Sequence, residues 1–198
     1  MIYQSTRDGL NNQQYWNKVN GKGNLLMVFK SKSDYIFGAY SPCKWESYGG
    51  KYVEDNTLSS FIFSQTHDQV YPLRQDQKSN AIHCNSNSYG PLFGGGFDIR
   101  IDSNFTDGYC KLGYSYQFSQ YKNQSEDPYL FGQNKPEIKE SFDQDTINII
   151  VVQQNDYDKK LDAIRRKKIS LCFYYQIDQY IRYYQVLFLN HQNEKNQQ

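Results

Sequence analysis

Long apolar runs are missing from this sequence. None approaches the ~20 residues that a bilayer-spanning helix needs, and mean hydropathy is -0.85, so no integral membrane segment is expected. The opening residues Met1-Ile2-Tyr3-Gln4-Ser5-Thr6-Arg7 lack the apolar stretch of a secretory signal, which points to a cytoplasmic chain. Charge of one sign is missing as well: 22 Lys and Arg against 21 Asp and Glu leave a net +1. A near-neutral surface has no general pull on nucleic acid or any other polyanion.

Cysteine is scarce and scattered. Cys43, Cys84, Cys110 and Cys172 include no C-x-x-C pair, and in a cytoplasmic chain such cysteines are free thiols that pack as small hydrophobes. Structural zinc needs three or four Cys, His or carboxylate ligands at compact spacing, and no such set is legible; no metal or cofactor is expected. His67 lies beside Asp68 in a polar loop. His83 and Cys84 are neighbours on an expected strand, where adjacent side chains point to opposite faces. No motif supports a Cys–His nucleophile at Cys43 or Cys110. The sequons at Asn104 and Asn123 need a secretory route and are read as chance.

Aromatic rings are what the chain has in excess: 17% of 198 residues, with Tyr 19 and Phe 12. Aromatic and β-branched side chains suit a pleated surface, so a core made of rings favours strands. A short strand is expected at 2–5, turned by Asp8-Gly9. A helix follows over 10–19, carrying Tyr15, Trp16 and Val19, with Asn11 or Asn12 as cap. Segments 24–30 and 35–40 read as a hairpin. Its first strand, Leu25-Leu26-Met27-Val28-Phe29, is apolar throughout, as in a strand buried on both faces. A loop is expected over 41–56, then strands over 59–64, 69–73, 80–84 and 96–101. Many short strands with one early helix describe a mainly β sandwich with a few flanking helices.

Residues 89–101 are the densest signal. Tyr89-Gly90-Pro91-Leu92-Phe93 leads into Gly94-Gly95-Gly96, then Phe97-Asp98-Ile99-Arg100-Ile101 alternates as a strand does. Three glycines in a row imply backbone that side chains forbid, or a close approach by another segment. No Lys-Ser or Lys-Thr follows for a phosphate loop, and no helix for a dinucleotide fingerprint. Clustered backbone N–H groups here form an anion nest on one reading. On the other they form a bulge or tight crossing, favoured because no basic residue accompanies the glycines. Asp98 suits a structural role, accepting backbone N–H bonds to pin a loop.

This segment resembles the G-P-x-F-G-G-G-x-D signature of the TLDc domain family. Further matches run in order along the chain: Ile2 to Gly9, Asn24 to Lys30, Tyr35-Ile36-Phe37-Gly38-Ala39-Tyr40, Lys44-Trp45, Ser60-Phe61-Ile62-Phe63-Ser64 and Tyr129-Leu130-Phe131-Gly132-Gln133. The signature residues are therefore Phe37, Gly38, Tyr40, Trp45, Gly90, Pro91, Phe93, Gly94, Gly95, Gly96 and Asp98. Phe97 stands where the family most often has histidine, which removes the motif's one His–Asp pair and counts against catalysis.

The resemblance implies an antiparallel sandwich of two sheets over residues 1–142. It also implies a non-catalytic interaction domain tied to oxidative-stress resistance. The implied partner is the peripheral sector of the vacuolar proton-pumping ATPase, which gives a cytoplasmic location at the periphery of endomembranes. Two alternatives stand beside it: a thiol-dependent antioxidant activity through a free cysteine, and a degenerate copy without function. For the first, Cys43 is the candidate, in an exposed loop where Lys44 favours the thiolate.

The chain departs from the family at both ends. Helical material that precedes the position of Ile2 in the family is not present, which reads as a shortened domain or a missing upstream exon. Residues 143–198 resemble nothing in it. There a strand is expected over 147–152. Leu161, Ile164, Ile177, Tyr180, Ile181, Tyr184, Leu187 and Phe188 then recur at helical spacing. Lys159, Lys160, Arg165, Arg166, Lys167 and Lys168 are read as that helix's solvated face.

Overall fold

A computed structural model describes residues 2–31, 35–47, 49–65, 69–105, 107–117, 130, 140–141 and 150–153. His67, the 32–34 turn, the segment around Tyr129, Cys172, the basic cluster and the amphipathic helix lie outside the described residues.

The ring-rich composition resolves into strands. In chain order they are β1 (Tyr3–Gln4), β2 (Leu25–Lys30), β3 (Ile36–Ser41), β4 (Gly49–Val53), β5 (Phe61–Ser64), β6 (Gln69–Pro72), β7 (Ile82–Asn85), β8 (Tyr89–Phe93), β9 (Ile99–Asp102), β10 (Asp107–Cys110), β11 (Glu140–Ser141) and β12 (Ile150–Gln153). Among the described residues they form two six-stranded sheets, ordered β1-β12-β2-β3-β5-β6 and β11-β10-β9-β8-β7-β4. Every recorded pairing is antiparallel. One buried cluster joins Leu25, Met27, Phe29, Ala39, Ile62 and Tyr71 of the first sheet to Ile82, Cys84, Phe93, Ile99 and Ile101 of the second. The architecture is a β-sandwich of the expected class.

The hairpin of β2 and β3 is present, with Met27 opposite Ala39 and Val28 opposite Gly38. Within Ile150–Gln153, inside the region read as a strand at 147–152, the backbone slots between β1 and β2. Short helix α1 (Ser5–Asp8) replaces the simple turn expected after the first strand. Helix α2 (Asn12–Val19) starts where Asn11 Oδ1 accepts from Gln14 N at 2.9 Å, a side-chain N-cap. It buries Tyr15, Trp16 and Val19, and Trp16 Nε1 donates to Tyr89 O at 2.9 Å, fixing the helix to β8. Among the described residues no helix is long and apolar enough to cross a membrane.

Three expectations are corrected. The 41–56 loop contains β4, whose exposed residues and Gly49-Gly50 hide the period-2 signal. Residues 75–80 form a 3-10 helix, so the strand expected from 80 begins at Ile82. The strand after the glycines begins at Ile99, and a second strand, β8, precedes them. The signature is thus a whole hairpin.

Candidate functional site

The hairpin of β8 and β9 carries the signature. Register shifts between Tyr89 and Leu92, leaving Gly90 and Pro91 in a bulge, a place where a residue without an N–H is tolerated. A Cβ on Gly90 would stand 2.7 Å from the Phe105 ring, so this glycine serves close packing. The turn closes with Phe97 N donating to Gly94 O at 3.3 Å. Gly94 has φ +83, and a Cβ there would fall on the Asp98 carboxylate. On Gly96 a Cβ would lie 2.6 Å from the Tyr114 ring.

Asp98 is fully buried. Its Oδ1 accepts from the backbone N–H groups of Gly113 (3.0 Å), Tyr114 (3.1 Å) and Tyr116 (3.3 Å). Its Oδ2 accepts from Ser115 N at 3.0 Å. Four successive N–H groups make an anion cradle, and the chain fills it with its own carboxylate. Burial pushes the Asp98 carboxyl up to about 6, against the four N–H donors that favour its charged form. The anion nest considered at the glycines is not found there. Gly94 N donates to Ala81 O and Gly95 N to Ser115 Oγ, so both groups are already used. The site ties 94–98 to 113–116, and Tyr116 extends the tie by donating its hydroxyl to Ala81 O at 2.6 Å.

The remaining signature residues pack. Phe37 and Trp45 are fully buried; Trp45 lies 5.3 Å from the Phe93 ring and 6.1 Å from Trp16. Gly38 sits where a Cβ would overlap Met27 O. Tyr40 donates to Asn24 Oδ1 at 3.3 Å. Asp55, which the sequence did not single out, accepts from Ser60 N, Ser60 Oγ and Thr57 N at 2.8, 2.7 and 2.9 Å, holding the loop before β5.

Cys43 does not lie in an exposed loop. It is 7% exposed, its Sγ donates to Glu54 O at 3.5 Å, and burial pushes its thiol up to about 11. Lys44 is drawn to Glu46 at 2.7 Å. Cys84 is fully buried with its thiol likewise pushed up by burial to about 11. Among the described residues no three His, Cys, Asp or Glu side chains converge as a metal site.

One surface does gather polar and aromatic groups. Tyr52 on β4 lies opposite His83 on β7, their rings 4.4 Å apart. Phe97 continues the row, 6.2 Å from His83 and 6.3 Å from Tyr89. Arg100 lies 5.5 Å from the Tyr89 ring centre, 5.9 Å from that of Phe97 and 5.5 Å from that of Tyr109, and pairs with Asp102 at 2.8 Å. Phe97 has φ +59, a left-handed conformation rare for a bulky side chain. His83 Nδ1 finds no hydrogen-bond partner among the described residues, and burial lowers its pKa. Only cross-strand pairing reveals this face, because its rings come from four strands and a turn.

A sequence model of the TLDc domain matches residues 1–141. No curated protein matches the chain.

Proposed function

The chain belongs to the TLDc domain family, and from that premise we propose that it is a non-catalytic interaction domain linked to oxidative-stress resistance. Its partner is the peripheral sector of the vacuolar proton-pumping ATPase, met from the cytoplasm at the surface of endomembranes. Family membership over residues 1–141 carries the reading.

The structure supports it in two ways. The signature's acid is committed to four backbone N–H groups, which leaves it a scaffold role. The Tyr52–His83–Phe97–Arg100 face offers aromatic and arginine side chains, the types that dominate protein interfaces. Such a face regulates assembly only through differential affinity for two pump states. A thiol-dependent activity through Cys43 gains nothing from a buried, high-pKa thiol.

The test is recovery of pump subunits from cytosol and solubilised membranes on the immobilised full chain. Specific recovery of the peripheral stator subunits is expected. Their absence, with circular dichroism reporting a folded β protein, would sink the reading.

A further inference from the structure

Two large hydrophobic side chains stand exposed among the described residues, Tyr52 at 40% and Tyr114 at 55%. They come from distant parts of the chain, and each reaches the same glycine. Tyr52 donates its hydroxyl to Gly95 O at 3.1 Å. Tyr114 lies across Gly95 and Gly96, and its Cε1 is the atom nearest a Cβ built on Gly95, at 3.1 Å. Cε1 is the ring carbon ortho to the hydroxyl, where a tyrosyl radical couples. Burial and the neighbouring Tyr114 phenol both push the Tyr52 phenol upward. The Asp98 clamp on Tyr114 N holds one partner in place, and the pairing of Tyr52 with His83 holds the other.

We propose that Tyr52 and Tyr114 are an oxidative modification site, which one-electron oxidants couple into an intramolecular dityrosine bridge over the glycine turn. Each phenol gives up one electron and one proton. The two radicals join through ortho carbons, and each ring recovers aromaticity by moving its ortho hydrogen to oxygen. The net loss is two hydrogen atoms, which reduce one peroxide to two waters when a haem peroxidase delivers the oxidising equivalents.

Exposure singles out this pair among the described tyrosines. Oxidation of a phenol requires a proton acceptor; solvent reaches both exposed rings, and the Tyr52 hydroxyl also donates to Gly95 O. Tyr3, Tyr15 and Tyr116 are fully buried, with hydroxyls held by Gly9 O, Met27 Sδ and Ala81 O. The buried thiols Cys43 and Cys84 are shielded in the same way. The site does not depend on the pump as partner.

The experiment treats dilute full-length chain with a haem peroxidase and limiting hydrogen peroxide, isolates the monomer, and maps cross-linked peptides by mass spectrometry. The expected product joins the Tyr52 and Tyr114 peptides with the loss of two hydrogens, and disappears in both Tyr52→Phe and Tyr114→Phe. Each variant keeps its ring, and circular dichroism checks the fold. Cross-links confined to other tyrosines or to dimers, with Tyr52 and Tyr114 unmodified in folded monomer, would overturn the proposal.

Discussion

At the residue scale, one carboxylate organises the signature. Asp98 joins two segments distant in sequence through four N–H donors. Asp98→Asn keeps the shape but turns an NH2 group towards donors. Hydrogen bonds to a charged group contribute roughly 1.5–3 kcal/mol each, so we expect a loss of about 2–4 kcal/mol in urea unfolding. Asp102→Asn, at a partly exposed ion pair, should cost under about 1 kcal/mol. Equal midpoints for the two variants would contradict the clamp. The thiols supply a pH prediction. With thiol pKa values near 11, Cys43 and Cys84 are about 0.01% thiolate at pH 7, against a few per cent for an ordinary thiol. Alkylation of Cys43 and Cys84 in the native chain should run a few hundredfold slower than in the urea-unfolded chain, and accelerate as pH approaches about 11. Native labelling as fast as unfolded labelling would restore Cys43 as a sensor.

At the element scale, what was legible followed the local pattern. The uninterrupted run Leu25-Leu26-Met27-Val28-Phe29 announced a strand buried on both faces, and all of it but the half-buried Leu26 is buried. Of the two cap candidates, Asn11 and Asn12, Asn11 is the one that starts α2. Strand β4 was illegible because it is exposed along most of its length and opens on two glycines, so neither alternation nor burial marks it. Strand β8 was illegible because Gly90 and Pro91 break its pattern at a bulge. Gly38 tests the packing of the β2–β3 pair. Gly38→Ala places a methyl against Met27 O and the Phe63 ring, and overpacking of this kind costs about 1–3 kcal/mol or more. Gly21→Ala meets no atom within 4 Å and strains only φ +74, at about 1–2 kcal/mol. Thermal melts that rank Gly21→Ala as the more damaging would refute this packing account.

At the scale of the whole molecule, the family was readable because its motifs are local strings, whereas the candidate contact surface was not. Tyr52, His83, Phe97, Arg100 and Tyr109 are scattered over 52–109 and become one face only through strand pairing and ring packing. The signature motif likewise named Asp98 without revealing the 113–116 segment that it holds. We propose that this face binds the pump's peripheral sector. The direct measurement is a titration of purified peripheral sector with the native full chain and with Arg100→Ala and Tyr52→Ala. Lys22→Ala, which lies outside that face, is the control. Interface anchors of these types contribute about 2 kcal/mol or more, so each face variant should weaken binding roughly thirtyfold while the control stays native-like. Equal affinity for all four folded proteins would contradict the account.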